Sequence, residues 1–583
     1  MVVRAQYHLS QVSDISRSRA LLWLCVLALA GGALRFYNLA WGAPFYHFHI
    51  DEHFVFTGAD NLRVSMEQAA NAPKFFMYSP LPMYLLNGLR TIYETFAHRL
   101  DLTNPQDEIT YMVLGRAVSA TFATATIPVV YAIATKLAGR VAGLLSAAFL
   151  AFTVLSLRDA HFFTVDAGLV FFCGVTWLCA LRVAERGDLA SVILAGVAFG
   201  FAVLCKYSAA FLGAPLGLAY LLAPGRPATM APGAWVRWVV RGVLLLAVAA
   251  AVFLLLDPMV WLYPDKFRLD FRQQVTEPLL GVTKPLFLGT FADLTHPRLY
   301  WVTNLLWWAQ GPALEAWALL GLAWLVTRRH RLAWVSALVP IAYFAMAGNS
   351  VAPFVRYALP LMPPLAVAAG VLSGDLLRRP RWHLPALVVT TVVLASTALY
   401  AAAYMNVFRK PDSRVAASDY MRAHIPAGAT VLVEPTHNLP PTGAYRDRTN
   451  FYRDYMPWDP FTDELREFRL IGMDSYRHLY SRELSDQEKQ AYINGRLGLA
   501  DWIVIDDYYL QVYRHLPASE HGVMKQFYRD LFNGQLPFQL ERSFKTYPSL
   551  FGVEINDDRA EMTFRHFDHP RIFVFRRKGV VGR

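Results

Sequence analysis

The sequence predicts a polytopic α-helical membrane protein with a smaller soluble α/β domain at its C-terminal end. Three observations carry that reading. Hydrophobic residues make up 55% of the 583 and charged residues only 17%, where ordinary soluble domains carry roughly a quarter charged. The deficit is local. From Leu21 to about Tyr404 the chain is a series of long apolar runs, while from Asn406 to Arg583 it is rich in Asp, Glu, Arg and Tyr. Finally, the loops between the apolar runs alternate between basic and nearly uncharged. Composition thus divides the chain near Met405, into a membrane domain over 1–405 and a soluble domain over 406–583.

A spanning helix needs about 20 mostly apolar residues. Eleven segments qualify, at about 21–40, 112–135, 141–156, 162–181, 189–205, 207–223, 238–256, 301–327, 332–347, 357–374 and 384–404. Basic residues test the count, because loops rich in Lys and Arg stay on the cytoplasmic side. With Arg4, Arg17 and Arg19 cytoplasmic, alternate loops hold Lys136 and Arg140, then Arg182 and Arg186. They continue with Arg226, Arg237 and Arg241, then Arg328, Arg329 and Arg331, then Arg378, Arg379 and Arg381. The short loops on the other side hold little beyond Arg158, Lys206 and Arg356. The asymmetry survives every crossing. An odd number of spans then places the soluble domain outside, in a periplasmic or extracellular space. The first run ends in Arg-Phe-Tyr-Asn without a small-residue cleavage pattern, so it reads as an anchor and not a signal peptide.

Several function classes drop out. The net charge of +11 suggests nucleic acid only until the basic residues are placed in membrane loops, where topology explains them. The four cysteines, Cys25, Cys173, Cys179 and Cys205, fall in or beside apolar runs. They predict neither a disulfide framework nor a cysteine zinc site.

Two outer loops are long. The first, from about Trp41 to Tyr111, carries an amphipathic stretch, Glu52 to Ala70, and a mixed apolar and aromatic one, Pro80 to Leu100. Both predict helices lying along the membrane surface. The second loop, Asp257 to Tyr300, is broken by Pro258, Pro264, Pro278, Pro285 and Pro297.

Ionisable residues close to membrane segments are costly and point to function. On the outer face they form a short set. Asp51 and Glu52 follow the first helix, Arg158, Asp159, His161 and Asp166 bracket the start of the fourth, Lys206 sits between the fifth and sixth, and Arg356 opens the tenth. Topology puts them at one membrane depth. Carboxylates and cations gathered there suit group transfer from a lipid-linked phosphate. A carboxylate takes the proton of an attacking hydroxyl, and Lys or Arg neutralises a phosphate leaving group. The structural alternative is that Arg158 and Lys206 snorkel to the interface and Asp159 pairs with Arg158.

Taken in order, the motifs resemble a known family. They are Asp-Glu after the first helix, Pro-Lys-Phe-Phe-Met-Tyr-Ser-Pro-Leu (73–81) and Arg-Asp-Ala-His-Phe-Phe-Thr-Val-Asp-Ala (158–167). Lys-Tyr-Ser-Ala-Ala (206–210) and Arg-Tyr-Ala-Leu-Pro-Leu-Met-Pro-Pro (356–364) follow. This resembles the protein O-mannosyltransferase and lipid A aminoarabinose transferase group of polyprenyl-phosphate-dependent C-type glycosyltransferases. The resemblance covers the membrane domain and, more loosely, residues 500–509 and 567–575 of the soluble one. It implies an inverting transfer from a polyprenyl-phosphate sugar to a glycan, lipid or protein hydroxyl on the outer side. It also implies a bacterial inner or plasma membrane location, since the 257–300 loop is too short for the β-trefoil domain of eukaryotic members. Asp51 matches the catalytic acidic position, Glu52 completes the Asp-Glu pair, and Arg356, with Lys206 less closely, matches a basic position facing the donor phosphate. Arg158, Asp159, His161, Asp166 and Tyr78 are the further candidates for substrate contact. No cofactor is required on this reading. A divalent metal stays open as an alternative, because His47, His49 and His53 flank the acidic pair, although their spacing matches no structural zinc pattern.

The soluble domain predicts strands at 429–434, 502–506 and 571–575, with helices at 412–424 and 485–496. The aromatic, charged segment Tyr445–Tyr455 reads as a surface loop or a contact for a polar acceptor. Three rival functions remain: a metal-dependent oligosaccharyltransferase-like enzyme, a transporter, and a non-catalytic assembly subunit. A transporter predicts sites near the midplane on broken helices within inverted repeats, and the sequence shows charges at one interface and no internal repeat.

Overall fold

The computed structural model describes residues 15–43, 49–72, 75–78, 80–102, 104–224, 232–277, 286–436, 438–440, 468–475, 478–481 and 483–580. Among them, six helices are long and apolar enough to cross a membrane. Four shorter apolar helices accompany them, Leu189–Cys205, Tyr207–Leu221, Pro312–Thr327 and Arg331–Ala347. The longest, Pro105–Ala151, is two helices joined at Ala138 and Gly139, where Gly139 turns the chain at a φ of 79°. With its two arms taken separately, the described residues hold the eleven apolar helical segments that hydropathy predicts.

The boundaries differ in two places. The eighth predicted span, 301–327, is broken: Gly311 adopts φ 83° and Pro312 starts a fresh helix, Pro312–Thr327. Only glycine takes that backbone conformation without strain, and proline suits the first helical position. The aromatic stretch before it, Trp301–Leu306 and Trp307–Gln310, is a separate segment. The third span ends at Ala151, and a short helix, Val154–Asp159, follows. Arg35, buried near the end of the first helix, holds this junction by donating to the carbonyls of Leu150 and Ala151 and to Ser156 Oγ. The two stretches predicted in the first long loop are helical, as Ile50–Val64, Met66–Asn71 and Pro80–Phe96.

Beyond the last long helix, His383–Arg409, lies a five-stranded sheet. Its strands are β1 (Thr430–Val433), β2 (Arg469–Gly472), β3 (Trp502–Asp506), β4 (Phe538–Phe544) and β7 (Ile572–Arg577), in the order β2-β1-β3-β7-β4. Two short strands, β5 (Ser549–Leu550) and β6 (Val553–Glu554), form a separate pair. β1 runs parallel to β2 and β3, and β7 is antiparallel to β3 and β4. Alternate side chains point to opposite faces of a strand. Leu432, Ile503, Ile505, Phe573 and Phe575 therefore pack on one side against helices Asp486–Leu499 and Ala518–Phe532. Val431, Val433, Trp502, Val504, Ile572 and Val574 pack on the other against Ser413–His424. The three predicted strands and two predicted helices are all present. β2 and β4 are additions, and residues 445–455 lie outside the described residues.

A buried polar network joins this domain to the helices. Arg158 donates to the carbonyls of Thr563 and Phe564, at 2.7 and 2.9 Å, and pairs with Asp568 at 3.2 Å. Tyr404 also donates to Asp568, and His569 lies between Asp568 (3.1 Å) and Asp557 (2.7 Å). Burial works against a charge on His569, but Asp557 and Asp568 outweigh it and raise its pKa to about 9. A histidine pKa raised on folding contributes stability that is fully present below its ordinary value near 6.5 and lost as pH rises through about 9. Thermal stability should therefore fall across pH 6.5 to 9, by a term on the order of 3 kcal/mol. His569→Gln should flatten that dependence. An unchanged slope in the variant would assign the pH dependence elsewhere.

Candidate active site

Asp51 is the second residue of helix Ile50–Val64, and its backbone N–H donates to His49 Nδ1 at 3.1 Å. The imidazole thereby satisfies one of the amides left without a partner at a helix start. The Asp51 carboxylate, nearly buried, has two partners from distant segments. Tyr78 donates to Oδ1 at 2.7 Å, and the Arg356 guanidinium contacts Oδ2. Burial, helped by Tyr357 and Asp166, pushes the Tyr78 phenol well above its ordinary range, so it stays a proton donor to Asp51.

Arg356 sits on the 3-10 helix Val355–Leu361. Its guanidinium lies 5.4 Å from the ring centroid of Tyr357 and 5.8 Å from that of Phe354. The ammonium of Lys206 lies 5.4 Å from that same Tyr357 ring and pairs with Asp166 Oδ1 at 2.8 Å. Tyr357 thus bridges two ion pairs contributed by four segments of the chain. Cations over aromatic faces are held by the ring quadrupole. In both pairs the cation is the more open member. Side-chain exposure is 19% for Arg356 against 9% for Asp51, and 27% for Lys206 against 5% for Asp166. Among the described residues, Arg356 Nε has no hydrogen-bond partner. An arriving anion would therefore meet two partly exposed cations first.

Asp159 lies beside this group. Burial pushes its carboxyl up to about 8, with Asp166 adding to the shift and Arg158 and Lys206 opposing it. Its Oδ2 is buried without a hydrogen-bond partner among the described residues. A carboxyl so placed keeps its proton more readily than one in water.

Other predicted residues stand elsewhere. Glu52, next to Asp51, turns away into a fully buried bidentate pair with Arg116, at 2.8 and 3.1 Å, and accepts the Phe163 amide at 3.0 Å. Arg116 in turn donates to the carbonyls of Leu39 and Trp41. Through these bonds Glu52 ties the first loop to the long helix. Arg158 belongs to the domain junction, and its predicted pairing with Asp159 is replaced by one with Asp568. His161 is buried, stacked on Phe408 at 4.0 Å, with both ring nitrogens near carbonyls of Leu157 and Tyr37. His49 is a helix cap, and burial depresses the His53 pKa to about 4. His47 lies outside the described residues. Tyr357 is the residue that sequence reasoning missed, although it directly follows Arg356.

Among the described residues no three His, Cys, Asp or Glu side chains come together in a way that could hold a metal ion. Asp51 and Asp166 each already hold a cation, and His49 points its Nδ1 at a backbone amide. As placed, Asp51, Asp166 and His49 do not make a ligand set for a divalent ion.

Residues 112–261 match the family model described as dolichyl-phosphate-mannose-protein mannosyltransferase. That stretch includes Arg158, Asp159, Asp166 and Lys206. A search of curated proteins returns no match. Among solved structures, the fold is similar to that of the Archaeoglobus fulgidus oligosaccharyltransferase tethered to an acceptor peptide containing the NVT sequon. Identity is 12%, with 93% of this chain and 74% of that chain covered, at a TM-score of 0.53. Another similar structure is ArnT from Cupriavidus metallidurans bound to undecaprenyl phosphate, at 14% identity, 96% and 98% coverage, and a TM-score of 0.46. The resemblance and the fold class read from the sequence are borne out, and these comparisons are with membrane-embedded sugar transferases.

Proposed function

We propose that this membrane glycosyltransferase moves a sugar from a polyprenyl-phosphate donor to an acceptor hydroxyl, inverting the anomeric carbon, with Asp51 as general base. The observation that carries the reading is the Asp51–Arg356 pair, joined through Tyr357 to Lys206 and Asp166. It sets a carboxylate for proton removal directly beside cations for a phosphate. The family match supports a polyprenyl-phosphate donor.

The donor phosphate binds Arg356 and Lys206, the two open cations. Arg356 turns its planar fork to the phosphate and frees Asp51 Oδ2. The carboxylate then accepts the proton of the acceptor hydroxyl, whose oxygen attacks the anomeric carbon opposite the phosphate. The carbon–oxygen bond to phosphate breaks, and polyprenyl phosphate leaves with the bonding pair, its charge held by Arg356 and Lys206. Tyr78, donating to Oδ1, fixes which carboxylate oxygen faces the acceptor. A single displacement gives one inversion. The anomeric configuration of the product, read by NMR against that of the donor, tests this; retention would contradict it.

The site faces outward, in a bacterial inner or plasma membrane with the N-terminus cytoplasmic. A reporter fused after Arg583 should be active outside the cell. Activity of a cytoplasmic reporter at that position would overturn this orientation.

A further inference from the structure

The soluble domain sends one segment, residues 557–569, back onto the membrane domain. Two of its side chains reach the two halves of the site. Glu561 Oε2 accepts the Val355 amide at 2.9 Å, and Val355 is the first residue of the 3-10 helix that carries Arg356 and Tyr357. The segment is anchored there by Asn304, which donates to the Arg559 carbonyl at 2.7 Å and accepts the Glu561 amide at 2.8 Å. Glu561 also caps its own short helix, Met562–His566, through the Thr563 amide at 3.0 Å. Six residues on, the Phe567 ring lies 3.9 Å from the centroid of His49 at an interplanar angle of 33°. His49 is the cap of the helix that carries Asp51. Glu561 and Phe567 are 2% and 6% exposed, so neither is a surface decoration.

We infer that this segment sets the spacing between Asp51 and Arg356, with Glu561 positioning the donor side and Phe567 the acceptor side. The physical basis is that a helix start needs its free amides satisfied. A carboxylate accepting a backbone N–H is a strong, directional way to do it. Without Glu561 the first turn before Arg356 loses its cap, and the guanidinium loses its fixed direction. Without Phe567 the His49 ring, held against the Asp51 amide, loses an aromatic neighbour closer than Phe162, whose centroid lies at 4.8 Å. The soluble domain is on this view part of the catalytic centre and not a separate module. The inference rests on the proposed roles of Asp51 and Arg356.

A merely structural role would lower stability and scale all activities together. A positioning role acts through its target residue, and double-mutant cycles separate the two. The probe is polyprenyl phosphate binding to the purified full chain, together with turnover at saturating donor. Glu561→Ala should weaken binding about tenfold, the effect of one charge-assisted hydrogen bond, and should add less than about twofold in an Arg356→Ala background. Asn304→Ala, which loosens the same segment without touching Glu561's carboxylate, should show the same pattern. Phe567→Ala should leave binding unchanged, lower turnover about tenfold, and add little in an Asp51→Asn background. Effects that multiply fully in those backgrounds would overturn the inference. So would losses in binding and turnover that track the fall in melting temperature. If Arg356→Ala weakens binding and Glu561→Ala does not, the positioning role alone fails. If Arg356→Ala itself leaves binding unchanged, the proposed donor site fails instead.

Discussion

Asp51→Asn is expected to lower turnover by about two to four orders of magnitude, the range that a lost general base costs, while donor affinity does not fall. The substitution keeps the size of the side chain and its bond from Tyr78, so the helix and the loop around it stay in place. It removes only the capacity to accept a proton. It also releases Arg356 from its ion pair, which leaves the guanidinium freer to meet the donor phosphate. The separation of the two effects is the informative part. Turnover is read with saturating donor, and affinity by binding of polyprenyl phosphate. A fully active variant would remove Asp51 from the role of general base. A variant that loses donor affinity in proportion would make Asp51 part of the phosphate site.

Arg356→Ala is expected to lower kcat/KM by about two to three orders of magnitude, as the loss of one preorganised contact to a developing anion does elsewhere. Two losses combine in that figure: the leaving phosphate has one cation fewer, and Asp51 is left nearly buried without its partner. Breaking such a pair from one side is costly because the remaining charge is uncompensated. Arg356→Lys should recover part of the activity. It restores the charge, but as a point without the planar fork, and it packs less well on Tyr357. Lys206→Ala should show a smaller deficit, since Arg356 remains. Equal activity in Arg356→Ala and the unsubstituted enzyme would remove this residue from the donor site.

The membrane helices are legible in the sequence because a bilayer demands length and apolarity together, and both are written in runs such as 238–256. Breaks are less legible. The 301–327 run is continuous in hydropathy, and only Gly311 followed by Pro312 marks where the helix restarts. In the soluble domain, β3 and β7 read as apolar runs because they lie inside the sheet. β4 does not: it is an edge strand whose residues from Gln539 to Ser543 are exposed, so its composition is that of a surface. The site divides in the same way. Asp51, Lys206, Asp166 and Arg356 are legible as charges stranded at one membrane depth. Arg158 has the same local appearance, yet its partners lie more than 400 residues later in the chain. No local pattern distinguishes a cation waiting for a ligand from one already paired by tertiary structure. Glu52 is the converse case. It is the immediate neighbour of Asp51, but the next position on a helix points about 100° away, and here that direction meets Arg116.

The most direct measurement is release of polyprenyl phosphate by the purified full chain, offered a panel of polyprenyl-phosphate sugars with a hydroxyl acceptor. The expected result is release with at least one donor, matched mole for mole by sugar on the acceptor. That release should be lost in Asp51→Asn although the variant still binds the lipid phosphate. Release undiminished in Asp51→Asn, or binding of the lipid phosphate with no sugar transfer from any donor in the panel, would contradict Asp51-dependent transfer from a polyprenyl-phosphate donor.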